Sequence, residues 1–503
     1  MTPQITTCQI PNPRVENNLF RRQTYKSSPI PSFSEAKSLL PAPVLPEHPG
    51  WVEMYWRAWE MAWSNIRRPK PETGFIANYL QTAASDNVLL WDSVFTVQFG
   101  WYGRRAFDFM GMLDNFYARQ HEDGFICREI YPTTGKDVFC PFEPNSTGPN
   151  ILAWAEWRYF RATGDDGRLR NVFWPLLAYH EWCRAYRTWP SGGYWATGLS
   201  SGMDNQPRVP DSKFYHRHWT WVDANMQAIL NARVLEQIAA LLEKPEVVQD
   251  LAEERTRLIR LVNDKLWSAE ANFYQDVDAN GRYSKAKSIG AYWALLDKSI
   301  IPDDRLGPFL QHLRENWAFK VNHRIPSLSA DSEGYNAGTG NAWRGGVWPS
   351  ANFMALRGLR NVGQDVLAHA IAINHLENVW ETYQHSDTFW ENYAPEQAAP
   401  GDPARPDFVG PSGLAPIAIL LEDVIGLSVD WPLRRVVWDR RLDTDAAYGV
   451  TNYPLGQEGK CDLLADTMQA TVTTDVPFTL TIRDGSLNLQ TAVPSGTTTI
   501  DLT

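Results

Sequence analysis

The chain has 503 residues, 44% of them hydrophobic, and a net charge of −11. That length allows a large buried core and more than one domain, while the acidic balance argues against a nucleic-acid or anionic-membrane partner. No run of 18 or more apolar residues is present to span a bilayer, and the five cysteines, odd in number and without CxxC spacing, mark neither a disulfide framework nor a zinc knuckle.

Residues 1–50 are polar and proline-rich, ending in PAPVLPEHPG, and read as an extended arm packed on the main body. The N-terminus has no basic segment followed by an apolar run, so the expected location is cytoplasmic, with Asn145-Ser-Thr147 the lone glycosylation sequon. Residues 51–429 carry helical spacing at 51–66, 92–118, 148–163, 168–188, 223–243, 246–267, 287–297, 303–316, 346–360, 363–383 and 412–425. Eleven or twelve helices joined by long loops rich in Gly, Trp, Asp and Arg predict a mainly α protein, an (α/α)6 barrel of six helix hairpins, with a two-domain helical protein as the alternative. Past Gly426 the pattern changes to short β-branched alternation at Val436–Trp438, Met468–Thr473, Phe478–Ile482 and Thr497–Asp501. This predicts a small β-rich appendage over 430–503.

Tryptophan occurs 23 times, and indole faces suit both the C–H faces of sugars and a helical core. Trp56, Trp59 and Trp63, three and four apart, read as a packing stripe. Two lone carboxylates stand out among aromatic, glycine and proline residues: Asp204 in Ser201-Gly-Met-Asp-Asn-Gln-Pro-Arg208, and Glu391 in Thr388-Phe-Trp-Glu-Asn-Tyr-Ala-Pro395. Such a pair, facing each other across a pocket, is what glycosidic cleavage requires: one acid protonates the departing oxygen while the other acts on water or on the anomeric carbon. Asp204 reads equally as an Asx-turn residue, and Asp387 and Glu396 compete with Glu391. Asp92 after Trp91 either caps the helix it opens or accepts hydrogen bonds from sugar hydroxyls. Trp343-Arg-Gly-Gly-Val-Trp348 gathers two aromatics, a fork of donors on Arg344 and a glycine pair that permits close backbone approach. His216 and His218 with Asp211 read as a solvated loop rather than a metal site. Glu156 and Arg158 read as helix-surface charges. No phosphate-binding, dinucleotide, serine-hydrolase or zincin motif occurs in a usable context, and no cofactor is expected.

Five stretches, in order, resemble glycoside hydrolase family 63, the processing α-glucosidases, nearest to its mannosylglycerate-hydrolase-like members and more distantly to trehalases. They are Leu90-Trp-Asp-Ser-Val-Phe95, Gln120-His-Glu-Asp-Gly-Phe-Ile-Cys-Arg-Glu129, Ser201–Arg208, Trp343–Pro349 and Phe389–Pro395. The resemblance spans about 51–426. It implies an (α/α)6 barrel, inversion at the anomeric carbon, Asp204 as general acid and Glu391 as general base. It implies further that Trp91, Asp92, Trp343, Arg344 and Trp348 line the subsite of the non-reducing sugar, with Gln120, Glu129, Asn205, Arg208 and Tyr393 as additional substrate-binding candidates. Inversion would set the two carboxyls roughly 6.5–9.5 Å apart, with room for a water.

The chain departs from the family pattern at Asn145–Asn150, where paired prolines are usual, at Gly410-Pro-Ser-Gly413, which lacks a tryptophan, and in having no counterpart of the large N-terminal β domain before Trp51. The expected reaction is exo-acting hydrolysis of a terminal α-linked glucose or mannose from a small carbohydrate. The alternatives are a sugar epimerase or isomerase, for which only His121 of the ten histidines falls in a motif, and a non-catalytic carbohydrate-binding protein.

Overall fold

The computed structural model describes residues 10–82 and 87–503. Helices dominate from Pro49 to Val424 and alternate between two degrees of burial. Leu90–Gly100, Leu152–Thr163, Val222–Leu241, the 3-10 helix Ile289–Leu296, Pro349–Asn361 and the π-helix Ala415–Val424 bury most of their circumference. Pro49–Ser64 precedes the first of them, and between them in the chain come Gly111–Ala118, Asp166–Tyr186, Pro245–Leu261, Asp303–Gln311 and Asp365–Ser386; several of these six bury one stripe only. Each of the first six packs against the next, and Ala415–Val424 packs back against Leu90–Gly100, closing a circuit. A helix with neighbours on all sides is apolar nearly all round, whereas one with solvent behind it is amphipathic.

Local chemistry accounts for the boundaries. Pro49, Pro245 and Pro349 each occupy the first helical turn, where the missing N–H costs nothing. The helix expected over 92–118 is two helices, Leu90–Gly100 and Gly111–Ala118, joined by a turn at Trp101–Gly103. The break lets Phe109 fold back onto the helix: a Cβ on Gly100 would sit 2.5 Å from the Phe109 ring, so only glycine admits the contact. Trp59 and Trp63 are buried as the stripe predicts, edge-on to Phe109.

Glu156 and Arg158 are not surface charges. Glu156 is 0% exposed and receives the Arg168 fork at 2.6 and 2.8 Å, while Arg158 reaches Glu422 with both bonds at 3.0 Å. Helical spacing could not show this, because the partners come from other helices.

The C-terminal region forms two sheets. One runs Ala42–Val44, Tyr448–Leu455, Gly459–Ala465, Gln469–Thr474, Gly496–Asp501, all antiparallel. The other runs Leu487–Val493, Phe478–Asp484, Arg435–Arg440, Leu427–Asp430, with Phe478–Asp484 parallel to Arg435–Arg440. The N-terminal arm therefore contributes the edge strand Ala42–Val44, and Arg105 and Asn452 fasten it by bonds to the carbonyls of Leu39 and Leu40. Tyr448–Leu455, Gly459–Ala465 and Leu487–Val493 lie outside the four strand segments expected from alternation. Among the described residues no helix is long and apolar enough to cross a membrane.

Candidate active site

Where the inner helices begin, the loops preceding five of the six, all but Ile289–Leu296, enclose a cavity of about 960 Å³. Leu90 opens its helix directly from the two-residue strand Val88–Leu89, which pairs with Glu129–Ile130. That ladder brings Trp91, Asp92, Arg128 and Glu129 to one wall. Asp92 makes no capping bond to its helix; its carboxylate accepts a 2.9 Å bond from the Thr82 hydroxyl. Only 8% exposed, it has its pKa pushed up to about 7 by burial, with Glu391, Glu129 and Asp204 adding to the rise.

Asp204 follows a single helical turn, Gly198–Ser201, closed by a Thr197/Ser200 capping box. The chain then reverses at Gly202, whose φ of +76° favours glycine and where an added Cβ would crowd the Trp91 ring at 3.0 Å. Asn205 locks the loop across the cavity, its amide donating to Asn341 O at 3.0 Å and accepting from Trp343 N at 3.0 Å. Burial raises the Asp204 pKa, and the nearby Arg128 and Lys213 oppose the rise.

Glu391 enters from the opposite segment. Its N–H donates to Arg405 O at 3.0 Å, and Val347 and Tyr393 exchange backbone bonds at 2.8 and 3.0 Å, which sets the Glu391 segment beside the Trp343–Trp348 turn. Burial raises its pKa and Asp204 adds to this, while Arg405 pulls it down. Trp343 and Trp348 complete the aromatic wall.

Thus Trp91, Asp92, Glu129, Asp204, Asn205, Trp343, Trp348 and Glu391 line one cavity. The other four expected residues do not. Gln120 is 3% exposed and bonds Asn18, Gly124 O and Pro175 O. Arg208 is 2% exposed and forks onto Asp223 and Asp276. Arg344 turns its Nε to Gly334 O at 3.0 Å, and the Tyr393 hydroxyl lies under Trp390 N at 3.3 Å. Each of these polar side chains instead satisfies a backbone group, an amide or a charge elsewhere in the fold.

His216 and His218 pack on Trp189 rather than converging with Asp211, and Asn145 is buried, accepting from the Thr197 hydroxyl at 2.7 Å. Sequence reasoning did not single out Arg128, Tyr131, Ser350, Arg405 or Phe408, all of which line the cavity. Arg128 sits inside a quoted motif, whereas Arg405 lies in a proline-rich loop that carries no motif.

A model of the mannosylglycerate hydrolase MGH1-like glycoside hydrolase domain matches residues 57–408. A probable mannosyl-oligosaccharide glucosidase of Schizosaccharomyces pombe is 26% identical over 261 residues, covering 45% of this chain and 32% of that one. The chain thus matches about a third of that relative's length. The structure of a glycoside hydrolase family 63 mannosylglycerate hydrolase from Thermus thermophilus in complex with glucose aligns with a TM-score of 0.57 at 22% identity, over 72% of this chain and 98% of that one. A structure titled sialidase aligns with a TM-score of 0.69 at 12% identity, over 98% of this chain and 43% of that one. With the matched span covering the five motifs from Trp91 to Glu391, the chain belongs to the mannosylglycerate hydrolase MGH1-like glycoside hydrolases of family 63 and is a glycoside hydrolase.

Proposed function

We propose that this protein is an exo-acting, inverting α-glycosidase built on an (α/α)6 barrel, releasing a terminal α-linked glucose or mannose from a disaccharide, short oligosaccharide or small glycosylated molecule. The barrel reading is supported by the closed circuit of six inner helices alternating with outer ones. The observation that carries the reaction is that Asp204 and Glu391, from separate loops, line one tryptophan-walled cavity. Asp204 is the general acid: burial raises its pKa, the direction required of a group that protonates the departing oxygen. Glu391 is the general base that takes a proton from the attacking water, and Arg405 opposes the rise that burial gives its pKa. Asp92, with Trp91, Trp343 and Trp348, holds the terminal sugar. Lys213, Arg405 and Arg128 all line the cavity and offer cations to a carboxylated leaving group; Arg208, fully engaged elsewhere, does not contribute. An epimerase would need histidine acid–base pairs, and among the described residues no histidine lines the cavity.

Proton NMR of fresh reactions with a panel of α-glucosides and α-mannosides, including one with a carboxylated aglycone, tests the proposal. Release of the β-anomer first, lost in Asp204→Asn, is the expected result. Initial α-anomer would recast Glu391 as a nucleophile, and product of unchanged mass would favour the epimerase.

A further inference from the structure

The loop that carries Asp204 is fastened by three side chains within four residues, each to a different part of the protein. Asn205 ties it to the Trp343 turn, Gln206 donates to Ser327 O at 2.7 Å, and Arg208 closes it from below. Arg208 has a fully buried guanidinium held by two buried aspartates. Nη1 and Nη2 reach Asp223 at 2.8 and 2.9 Å, and Nε and Nη2 reach Asp276 at 2.7 and 2.6 Å. The plane lies over the Trp221 ring, 4.6 Å from its centroid. Asp276 also accepts Val222 N at 2.7 Å, which couples the cluster to the start of the Val222–Leu241 helix. The Ser284 hydroxyl bonds the Arg208 carbonyl.

We infer that Arg208, clamped between Asp223 and Asp276, is a positioning residue for Asp204, setting where the acid's carboxyl stands relative to the glycosidic oxygen without touching substrate. A bidentate guanidinium gripped on two edges fixes translation and rotation of the backbone that bears it. Upstream, the turn is held by Gly202 N to Leu199 O and Met203 N to Gly198 O, both at 3.2 Å. Asp204 therefore sits on a short span with both ends fixed, and the downstream anchor is ionic. Removing the cation leaves two carboxylates buried without a counter-charge, so the span must shift to admit water. Proton transfer depends steeply on such placement.

This rests on Asp204 being the acid, and glycosyl fluorides separate the two ideas, because fluoride leaves without protonation while the base is still needed. Arg208→Lys and Asp276→Asn, with Asp204→Asn in parallel, are assayed on an α-linked disaccharide and on α-glucosyl and α-mannosyl fluoride. The expected result is kcat on the disaccharide reduced about 100-fold with little change in KM, and fluoride hydrolysis within about threefold of the parent. Equal loss on both substrates assigns Arg208 a merely structural role and overturns the inference. So does selective loss in Asp204→Asn that the Arg208 and Asp276 variants do not share. If Asp204→Asn itself shows no selectivity, the acid assignment falls and the inference with it. Should Arg208→Lys fail to fold, Asp276→Asn, which is isosteric, and Ser284→Ala, which removes the bond to the Arg208 carbonyl and the local one from Ala286 N, carry the same test.

Discussion

Trp343 and Trp348 lie face to face, ring centroids 4.1 Å apart and planes 3° from parallel, within one turn of chain. Trp91 meets Trp343 edge-on at 6.2 Å, and the Trp348 indole N–H is tied to Ala342 O at 3.1 Å. Because each ring covers one face of the other, no sugar can be sandwiched between them. A ligand stacks only on the faces left open to the cavity.

Trp348→Ala therefore removes both an open platform and the support of Trp343. We expect a loss of about 0.5–1.5 kcal/mol from the stack alone and a KM raised roughly tenfold, with kcat less affected. Steady-state kinetics beside a melting curve checks this. A lower melting temperature with KM unchanged would mean that the pair only packs.

Arg405 and Lys213 are expected to control opposite edges of the pH–activity profile. Arg405 opposes the burial that raises the Glu391 pKa, so Arg405→Met raises it further. A base must be ionised, and the acidic limb moves to higher pH. Lys213 opposes the rise at Asp204, so Lys213→Met also raises that pKa. An acid must be protonated, and here the alkaline limb moves up. One variant narrows the profile and the other widens it, and both effects shrink in high salt. An alkaline limb that moves in Arg405→Met would reverse the role assignment.

Glu156 gives a stability test. It accepts from Arg168 and, at 2.9 Å, from the Tyr117 hydroxyl. Glu156→Ala leaves the buried Arg168 with Asp114 as its remaining carboxylate, and should cost about 3–5 kcal/mol in denaturant unfolding. A helix-surface charge would cost under about 1 kcal/mol.

His323 and His375 are both 0% exposed and joined by a 2.8 Å Nε2–Nδ1 hydrogen bond. Burial pushes His375 down to about 3 and His323 well below its usual range, with His375 lowering His323 further. Above about pH 6.5 both the folded and unfolded states hold His375 neutral, and stability is flat with respect to it. Below that, the unfolded chain takes a proton the folded one refuses, so stability falls by up to about 1.4 kcal/mol per pH unit until pH about 3. His375→Gln should flatten the decline in melting temperature between these limits, and an unchanged slope would rule the pair out as its source.

Much of the helical block was legible because burial on one or all faces leaves a period in the chain. The Pro49–Ser64 and Val222–Leu241 helices lie within two residues of their expected ends. The Gly100–Gly103 break was not, since the reason for it is Phe109 folding back from outside the helix. The strand Tyr448–Leu455 was hidden because it is buried or half-buried throughout rather than alternating, covered on one edge by a strand that arrives from residue 42.

Sequence by itself singled out segments that the fold brings together: Trp91-Asp92, Asp204, the Trp343–Trp348 turn and Glu391 all reach one cavity. Only the tertiary structure decided which polar side chains within those segments face it. Arg208 stands four residues from Asp204, and Tyr393 two from Glu391, yet both turn inward. Local spacing places a residue on its own loop or helix, but its partner is chosen by whatever packs opposite. For Arg208 that is Asp276, 68 residues along the chain, and a buried guanidinium must meet its counter-charges wherever the fold brings them.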